Sequence, residues 1–466
     1  MRLSPARAAQ ITGGAVLAAA VVVGAGAAVF APLPGRTHDP IRVQAQPPAA
    51  PAVAVCSGPL LAAGRDATQA SLLGDGAPQQ ITVGATAGAD LTDALLTPAD
   101  VAAGAGPAVQ TATPPASSSD PADLAVAGSA QVAASDLTGF AAEACTRASM
   151  ESWLVGGSGT TGAGDLVVLA NPGDVAAQVT LAVYGATGAQ TPAAGKNIVV
   201  PARTQRVIPL AAIALGEENP VVRVTSAQAP VRASLQATLT RVLNPGGVDQ
   251  IAALGAPTTD LVIPAVPVTV PPGDPGASNT PTSLYLLAPA AAGEATVTVT
   301  GDGGAVASTQ TLPLLAGIPL TLDLGSLAVG TYTVSITATT PITGAVWTTT
   351  GFGAGSDFGV FTPAEVLGSA TLAAVAEGPS PQLSLVGASA GGATVTIERL
   401  DGSDAQQITV PEGRTVRVPV EGGTVYRVTP TGSVRASVAY SGAGAVAGYP
   451  IAAGDAAAAA IEVYPR

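Results

Sequence analysis

The sequence has very few of the side chains on which catalysis and metal binding depend. It contains one histidine, two cysteines and a single lysine, Lys196, while aromatic residues make up 3% and charged residues 11% of the chain. Two cysteines and one histidine exclude a four-ligand zinc site. The net charge of −13 excludes a basic nucleic-acid-binding surface. We therefore expect no metal, no cofactor and no nucleic-acid partner.

Small and apolar residues are abundant instead. The 466 residues include 56 glycines and 40 prolines, and 47% of the chain is hydrophobic. The length predicts about three or four domains of roughly 100–150 residues. Cores made of valine, isoleucine, leucine and alanine suit thin β-sandwiches.

The N-terminus has the pattern of an export signal. Arg2 and Arg7 precede Ile11–Ala31, a stretch of 21 residues without charge. As a helix this stretch is about 30 Å long, enough to cross the hydrocarbon core of a bilayer. It is either an uncleaved anchor or a signal peptide with a cleavage site at Val29–Ala31. Both alternatives place the rest of the chain outside the cytoplasm, either attached to the membrane or secreted.

Cys56 and Cys145 are the only cysteines. An even number in an exported chain predicts one disulfide, and the alternative is two buried free thiols. In the chain-entropy model such a loop of about 90 residues stabilises the fold by up to ~4.5 kcal/mol.

A series of short strands repeats three times after residue 150. The copies begin at Leu166, Leu284 and Leu383, and the Val-Arg-Ala-Ser of residues 231–234 returns at residues 434–437. Alternating apolar residues between Gly, Pro, Asn and Asp turns indicate antiparallel strands. A period of about 100 residues is typical of immunoglobulin-like sandwiches. The alternative is that the strands interlock into one larger β structure.

We therefore predict an all-β chain of tandem antiparallel β-sandwich (immunoglobulin-like) modules behind one N-terminal transmembrane or signal helix. Val179, Val297 and Val395 should lie on the second strand of their copies and face the core. Arg232 and Arg435 should occupy equivalent positions, with Thr343 as their counterpart. The predicted segments are a signal peptide or membrane anchor (1–31), a Pro/Ala-rich spacer (32–50), a β-rich region closed by the disulfide (51–150), three sandwich repeats (151–263, 283–376 and 382–466) and a Pro-rich linker (264–282). Residues 377–381 are expected to form a second linker, and short helical turns are expected at 370–376 and 452–460.

Two glycine-rich segments match catalytic or nucleotide-binding motifs. Gly157–Gly162 fits Gly-x-Gly-x-x-Gly, but a strand follows where the dinucleotide site requires a helix. Gly387–Gly391 fits the nucleophile-elbow pattern Gly-x-Ser-x-Gly. The only histidine, His38, lies in the spacer and cannot serve Ser389 as a base. We interpret both segments as turns.

Paired carboxylates are the one catalytic route that the composition leaves open. Asp401 with Asp404, and Glu217 with Glu218, are the visible pairs. Both lie in turn-like sequence, so we interpret them as solvated turns rather than as an acid/base pair or a calcium-binding loop.

The two tryptophans, Trp153 and Trp347, could stack on sugars, but core packing is the simpler interpretation. Arginines alternate with apolar residues on several predicted strands and should mark outward faces, which as a shared stripe could bind an acidic envelope polymer. These arginines are Arg223, Arg232, Arg241, Arg417, Arg427 and Arg435.

The segment from Cys145 to Gly185 resembles a known family. Its features are Cys145, the Trp-x-x-Gly-Gly of residues 153–157 and the Asn-Pro-Gly of residues 171–173. They resemble an actinobacterial family of exported, usually membrane-anchored proteins that is known only as a domain of unknown function. The resemblance implies an actinobacterial source and a location in the cell envelope, and it implies no activity.

These patterns favour a non-catalytic envelope protein with a structural or interaction role. Its partners would be cell-wall polymers or other envelope proteins, with the membrane contacted through the N-terminal segment. A glycan-binding protein is the alternative, followed by a carboxylate-based hydrolase. Aromatic rings exposed on one face would favour the former, and two carboxylates about 5–10 Å apart in a cleft the latter.

Overall fold

The computed structural model describes residues 5–30, 42–45, 49–64, 72–102, 104–115, 118, 120–273, 279–454 and 461–463. These residues form mostly strands, which confirms the all-β fold class. The chain divides into two compact units, one made of residues 1–47 with 458–466 and the other of residues 48–457.

The smaller unit contains the helix α1 (Pro5–Phe30). Residues Ala9–Ala27 within it are apolar and long enough to cross a membrane, a property that a signal sequence shares. In the same unit β1 (Val43–Ala45) pairs in antiparallel fashion with β36 (Ile461–Val463).

The larger unit begins with an N-terminal region of nine strands, which are β2 (Ala52–Val55), β3 (Leu60–Ala63), β4 (Leu73–Ala77), β5 (Gln80–Ala85), β6 (Asp90–Leu95), β7 (Thr97–Pro98), β8 (Ala108–Thr113), β9 (Leu124–Ala133) and β10 (Thr138–Ala144). Sandwich 1 follows with β11 (Glu151–Leu154), β12 (Leu166–Asn171), β13 (Ala177–Gly185), β14 (Gly188–Gln190), β15 (Ile198–Val200), β16 (Thr204–Pro209), β17 (Val221–Ala227), β18 (Arg232–Arg241) and β19 (Asn244–Ala252). It also contains two 3-10 turns, at Ala193–Gly195 and Leu210–Ala212.

Sandwich 2 has seven strands, which are β20 (Thr258–Val268), β21 (Thr282–Leu287), β22 (Gly293–Gly301), β23 (Val306–Leu314), β24 (Leu320–Asp323), β25 (Gly330–Thr349) and β26 (Phe358–Phe361). Sandwich 3 comprises β27 (Val366–Leu367), β28 (Thr371–Val375), β29 (Gln382–Gly387), β30 (Ala393–Arg399), β31 (Gln406–Val410), β32 (Thr415–Pro419), β33 (Thr424–Thr431), β34 (Val434–Gly442) and β35 (Ala445–Pro450).

The three sandwiches share one strand order. One sheet runs β19-β18-β12-β16 in sandwich 1, β26-β25-β21-β24 in sandwich 2 and β35-β34-β29-β32 in sandwich 3. The other runs β11-β17-β13, β20-β25-β22 and β28-β33-β30, with one or two edge strands beyond. In sandwich 2 the long strand β25 takes part in both sheets. In the other two sandwiches its place is taken by two separate strands, one in each sheet. The recurring pattern in the sequence therefore reflects a recurring topology.

The register agrees with the predicted equivalences. Arg232 pairs with Ala170, Thr343 with Leu287 and Arg435 with Val386, in each case the position after a buried leucine. Val179, Val297 and Val395 each lie on the second strand of their predicted copy and are buried. One detail differs, because the register makes Val167, not Leu166, the equivalent of Leu284 and Leu383.

The N-terminal region is a shortened fourth copy of the same arrangement. Its sheets run β2-β8-β6 and β10-β9-β5. These orders match β11-β17-β13 and β19-β18-β12, with the hairpin β3-β4 inserted between its first two strands. The three repeats found in the sequence are thus four in the structure.

The predicted linkers lie inside sandwiches. Residues 264–268 belong to β20, the first strand of sandwich 2, and residues 377–381 join β28 to β29 within sandwich 3. Proline removes a ladder hydrogen bond and is tolerated at edge strands and bulges. The strand β20 is such an edge, with irregular register between Ile263 and Val266. Sandwich 1 consequently ends near 252, sandwich 2 spans about 258–361, and sandwich 3 begins before 382.

The turn predicted at residues 370–376 is wrong as well, because Thr371–Val375 forms the buried strand β28. The turn predicted at residues 452–460 lies largely outside the described residues.

The four modules meet through their last strands. Contacts run from β10 to β19, from β19 to β26, from β26 to β35 and from β35 back to β10, which closes a ring. The hydrophobic cores cross the module boundaries accordingly. Phe140 of the N-terminal region belongs to the core of sandwich 3, and Phe358 of sandwich 2 belongs to that of sandwich 1. The copies are therefore not structurally independent domains. The alternative of strands that interlock into one larger β structure describes the molecule better.

Because the modules share hydrophobic cores, we expect a destabilising substitution in one sandwich to lower the stability of the other sandwiches too. Val395→Ala in the core of sandwich 3 should cost about 2 kcal/mol. Denaturant-induced unfolding followed by tryptophan fluorescence should shift to a lower midpoint, although Trp153 and Trp347 lie in sandwiches 1 and 2. An unchanged tryptophan midpoint, with a separate early transition by circular dichroism, would show that the sandwiches unfold independently.

Candidate functional site

Cys56 and Cys145 form a disulfide that ties the first strand of the N-terminal region to the end of its last. Their Cα atoms are 4.3 Å apart, which is below the ~7 Å limit for such a bond. Both cysteines are buried. The bond also holds Ser57 and Glu143, which adjoin the two cysteines, at the boundary with sandwich 1.

A buried ion pair lies beside the disulfide. The carboxylate of Glu143 accepts the Ser57 N–H at 2.5 Å and the Ser57 hydroxyl at 2.6 Å. It also forms a salt bridge with Arg232 of sandwich 1, and both side chains are at most 1% exposed. Arg232 Nη1 donates in addition to the hydroxyls of Ser57 and Ser234 at 2.6 and 2.7 Å.

Amide side chains extend this polar network along the boundary. Gln79 donates to Glu143 and to Gln250, both at 3.0 Å. Gln236 forms two hydrogen bonds with the backbone of Leu61, at 2.7 and 2.8 Å. The N-terminal region is thus joined to sandwich 1 through polar groups that are buried, except for the partly buried Gln79.

The prediction that the alternating arginines mark outward faces is wrong for Arg232. Its partner Glu143 lies 89 residues earlier in the chain, so no local pattern announces the pair. Two other arginines bridge sandwiches 2 and 3, because Arg417 pairs with Asp302 and Arg435 with Asp260.

The centre of the ring contains one carboxylate that receives hydrogen bonds from several modules. Asp357 Oδ2 accepts the backbone N–H groups of Phe140 and Val446 at 3.0 and 3.2 Å, and its Oδ1 accepts that of Val248 at 3.2 Å. The N–H of Phe358 also bonds to it. These four donors lie on β10, β19, β26 and β35, one from each module. A single side chain therefore gathers the backbone of all four.

Burial dominates the electrostatics of this centre. Burial raises the pKa of Asp357 to about 8. The hydrogen bonds from the four N–H groups act in the opposite direction, and burial outweighs them. Nearby Asp249 accepts the Val360 N–H at 2.8 Å. Burial, and secondly the charge of Asp357, raise the pKa of Asp249 well above its ordinary value.

Two glycines permit this close approach. A Cβ on Gly139 would lie 2.4 Å from Asp357 Oδ1, and one on Gly247 would lie 2.7 Å from the same atom. Their φ angles, +143° and +124°, are ones that other residues rarely adopt. No signal in the sequence singles out these two among 56 glycines.

The other end of the ring opens into a cavity of about 760 Å³. Its walls include the ends of the last strand or the residue just beyond it in every module, at Ala144, Ala252, Thr362 and Pro450. The floor is apolar and buried, and the rim carries charged side chains. Those charged side chains are Asp123, Arg147, Glu151, Asp260, Glu365 and Arg435. This cavity, to which all four modules contribute, is the candidate functional site, and sequence patterns did not indicate it.

Two of the rim carboxylates are engaged by arginines. Glu151 bonds with Arg223 at 2.7 and 3.1 Å, and this bonding lowers the pKa of Glu151. Asp260 pairs with Arg435. A carboxylate held ionised in this way is poorly suited to donate a proton as a general acid.

The motifs found in the sequence have structural roles. The loop Gly157–Gly162 is anchored by Asp165, which accepts the Ser158 N–H at 2.6 Å and the Thr238 N–H at 2.8 Å. Ser389 bonds with the backbone of Ser433.

The predicted carboxylate pairs are likewise engaged in turns and ion pairs. Asp401 accepts from Ser403 within its turn, while Asp404 pairs with Arg399. Glu217 accepts the Ala186 N–H at 2.8 Å. None of these carboxylates lines the cavity.

Both tryptophans pack against the core between sandwiches 1 and 2. Trp153 is buried against Tyr184, and Arg223 lies over its ring at 5.6 Å. Trp347 stacks on Phe358. Within the described part of the chain, no group of three or more His, Cys, Asp or Glu side chains is placed to hold a metal ion.

Comparison with known proteins shows a match to one protein family. The model of a "Family of unknown function (DUF5719)" matches residues 97–421, more than half of the chain. No curated protein matches. Among solved structures, the crystal structure of chicken CNTN1 FN1-FN3 domains is 14% identical and aligns over 67% of this chain and 99% of that chain, with a TM-score of 0.10.

The buried ion pair predicts a large difference between two equivalent arginines. Arg232→Met leaves Glu143 buried without its partner and should cost about 3–5 kcal/mol in the free energy of unfolding. The matched control Arg435→Met, at the equivalent register position, removes a partly exposed pair and should cost less than about 1 kcal/mol. Denaturant titration of both variants measures the difference. Equal costs would show that the pair with Glu143 does not stabilise the boundary.

The buried aspartates predict greater stability at mildly acidic pH. Asp357 keeps its proton to about pH 8 in the folded chain and loses it near pH 4 when unfolded. The folded state therefore binds more protons between these values, and stability falls by up to about 1.4 kcal/mol per pH unit as the pH rises. Asp165, whose pKa burial raises to about 7, acts in the same direction.

Thermal unfolding between pH 5 and 8 tests this dependence. We expect the midpoint to fall with rising pH, and to fall less steeply in Asp357→Asn. Asp90→Asn, on the exposed strand β6, is the matched control and should retain the original slope. A slope unaffected by Asp357→Asn would contradict the assignment.

Proposed function

The chain belongs to the DUF5719 family of unknown function, and from this premise we propose that it is a non-catalytic protein of the cell envelope that acts by binding a partner in the central cavity. The cavity carries the proposal, because every module contributes to its walls. Its volume lies within the ~300–1,000 Å³ range of ligand pockets. A ring held together at Asp357 presents these walls in a fixed arrangement.

The proposed location is the outer side of a membrane. The apolar helix α1 can serve as anchor or signal, and the disulfide suits an oxidising compartment. The resemblance of residues 145–185 to exported actinobacterial proteins supports the same location and an actinobacterial source. The partner would be a cell-wall polymer or another envelope protein.

The positions and partners of the carboxylates favour a binding role over a hydrolase. The pairs expected from the sequence lie in turns, and Glu151 and Asp260 at the rim are engaged by arginines. A glycan-binding surface built on Trp153 and Trp347 is not favoured, because both rings pack into the core.

Co-sedimentation of the full-length chain with purified walls and their attached proteins tests this proposal. The chain, in detergent micelles, should be retained. Ala256→Trp, which fills the exposed rim of the cavity, should lower retention at least fivefold, whereas Ala256→Ser should not. Both variants should unfold at the parent temperature, since Ala256 is exposed.

The same samples distinguish binding from hydrolysis. We expect no increase in reducing ends or free amino groups in the supernatant. Their release in proportion to added chain would replace the binding role by the hydrolase alternative. Retention that Ala256→Trp leaves unchanged would place the contact outside the cavity and contradict the proposal.

A further inference from the structure

Three hydroxyl groups in the cavity walls form no hydrogen bond with any described residue. Ser152, Thr343 and Thr362 are 7%, 2% and 7% exposed and line the cavity. Within the described residues none of the three side chains makes a hydrogen bond, whereas the wall residue Thr371 bonds to the Ala452 carbonyl. None of the three oxygens is among the fully buried polar atoms without a partner, so solvent can reach each of them. These three therefore offer donors and acceptors to whatever occupies the cavity.

The hydroxyls come from two modules. Ser152 lies on β11 of sandwich 1, Thr343 on β25 of sandwich 2, and Thr362 directly after β26. A ligand that bonds to all three would have to present polar groups to both sandwiches.

The charge at the rim is negative on balance. Four carboxylates and two guanidinium groups line the cavity. Glu365 is exposed and forms no ion pair with any described residue, whereas Asp260 and Glu151 have arginine partners. The available charge at the rim thus attracts a cation.

Small side chains dominate the rest of the walls. Ala54, Ala233 and Ala374 are buried there beside Val126 and Ile342. Tyr449 is the only aromatic residue among the lining residues, and its hydroxyl already bonds to Ala374, Ala376 and Tyr440. Alanine walls let a main chain approach closely, while a sugar ring finds little aromatic surface on which to stack.

We propose that the central cavity binds an extended peptide segment that carries a basic side chain. The peptide N–H and C=O groups bond to the free hydroxyls, its small side chains face the alanines, and its basic group lies near Glu365. This inference rests on the proposed function and names the chemistry of the partner at that site.

Fluorescence anisotropy with the full-length chain in detergent tests the ligand class. The probes are three labelled heptapeptides of alanine and threonine that differ only in a central lysine, glutamine or glutamate. We expect the lysine peptide to bind at least tenfold more tightly than the glutamate peptide, with the glutamine peptide between them. Equal affinities, or no binding by any of the three, would overturn the proposal.

Two variants locate the contacts. Thr343→Val keeps the shape of the side chain but removes its hydroxyl, so it should fold normally and weaken all three peptides about fivefold. Glu365→Gln should reduce the preference for lysine over glutamine, while Glu294→Gln, an exposed carboxylate outside the cavity, should leave it unchanged. Binding that neither Thr343→Val nor Glu365→Gln alters would place the peptide elsewhere.

A glycan arm completes the test. If labelled chitotriose binds the chain and none of the peptides does, the peptide proposal is wrong and the glycan alternative replaces it. Retention on walls that Ala256→Trp still reduces would leave the proposed function intact in that case. If no peptide binds and Ala256→Trp does not reduce retention on walls, both proposals are wrong.

Discussion

One carboxylate, that of Asp357, organises the centre of the molecule. Four backbone N–H groups, one from each module, point at the same buried position. Buried N–H groups require acceptors, and the two oxygens of the Asp357 carboxyl group supply them, which the side chain of an alanine or a valine cannot do. Gly139 and Gly247 are needed beside it because a Cβ at either position would collide with Asp357. The ring of last strands depends on this arrangement.

Both apolar and polar groups hold the modules together. Phe140 and Phe358 extend the hydrophobic cores across module boundaries, whereas the boundary between the N-terminal region and sandwich 1 contains a buried ion pair. Glu143 and Arg232 join the N-terminal region to sandwich 1, and the disulfide holds Ser57 and Glu143 in position for them. Such pairs add little stability relative to apolar residues, but breaking one is costly. They therefore specify how modules dock more than how firmly each one folds.

Local features of the fold could be predicted from the sequence, and long-range ones could not. Val179, Val297 and Val395 were recognisable because a strand alternates every two residues, whatever lies around it. Arg232 has the same alternation as Arg435, yet the first is buried and the second reaches the rim of the cavity, because their partners come from different modules. The shortened fourth copy gives no recognisable repeat in the sequence, because an inserted hairpin interrupts its pattern of strands. Residues 264–268 resembled a linker because proline marks an edge strand and a linker alike.

The cavity is a consequence of the same ring. The last strands converge where Asp357 gathers their N–H groups, and at their other ends they line an open space. The positions of the cavity walls are therefore set by contacts at the opposite end of the strands. A substitution at Asp357 would alter the cavity without touching any residue that lines it, whereas one at Glu365 would alter its charge and leave the ring unchanged. The shape of the candidate site thus depends on Asp357 as well as on the residues that line the cavity, whereas its charge depends on the lining residues alone.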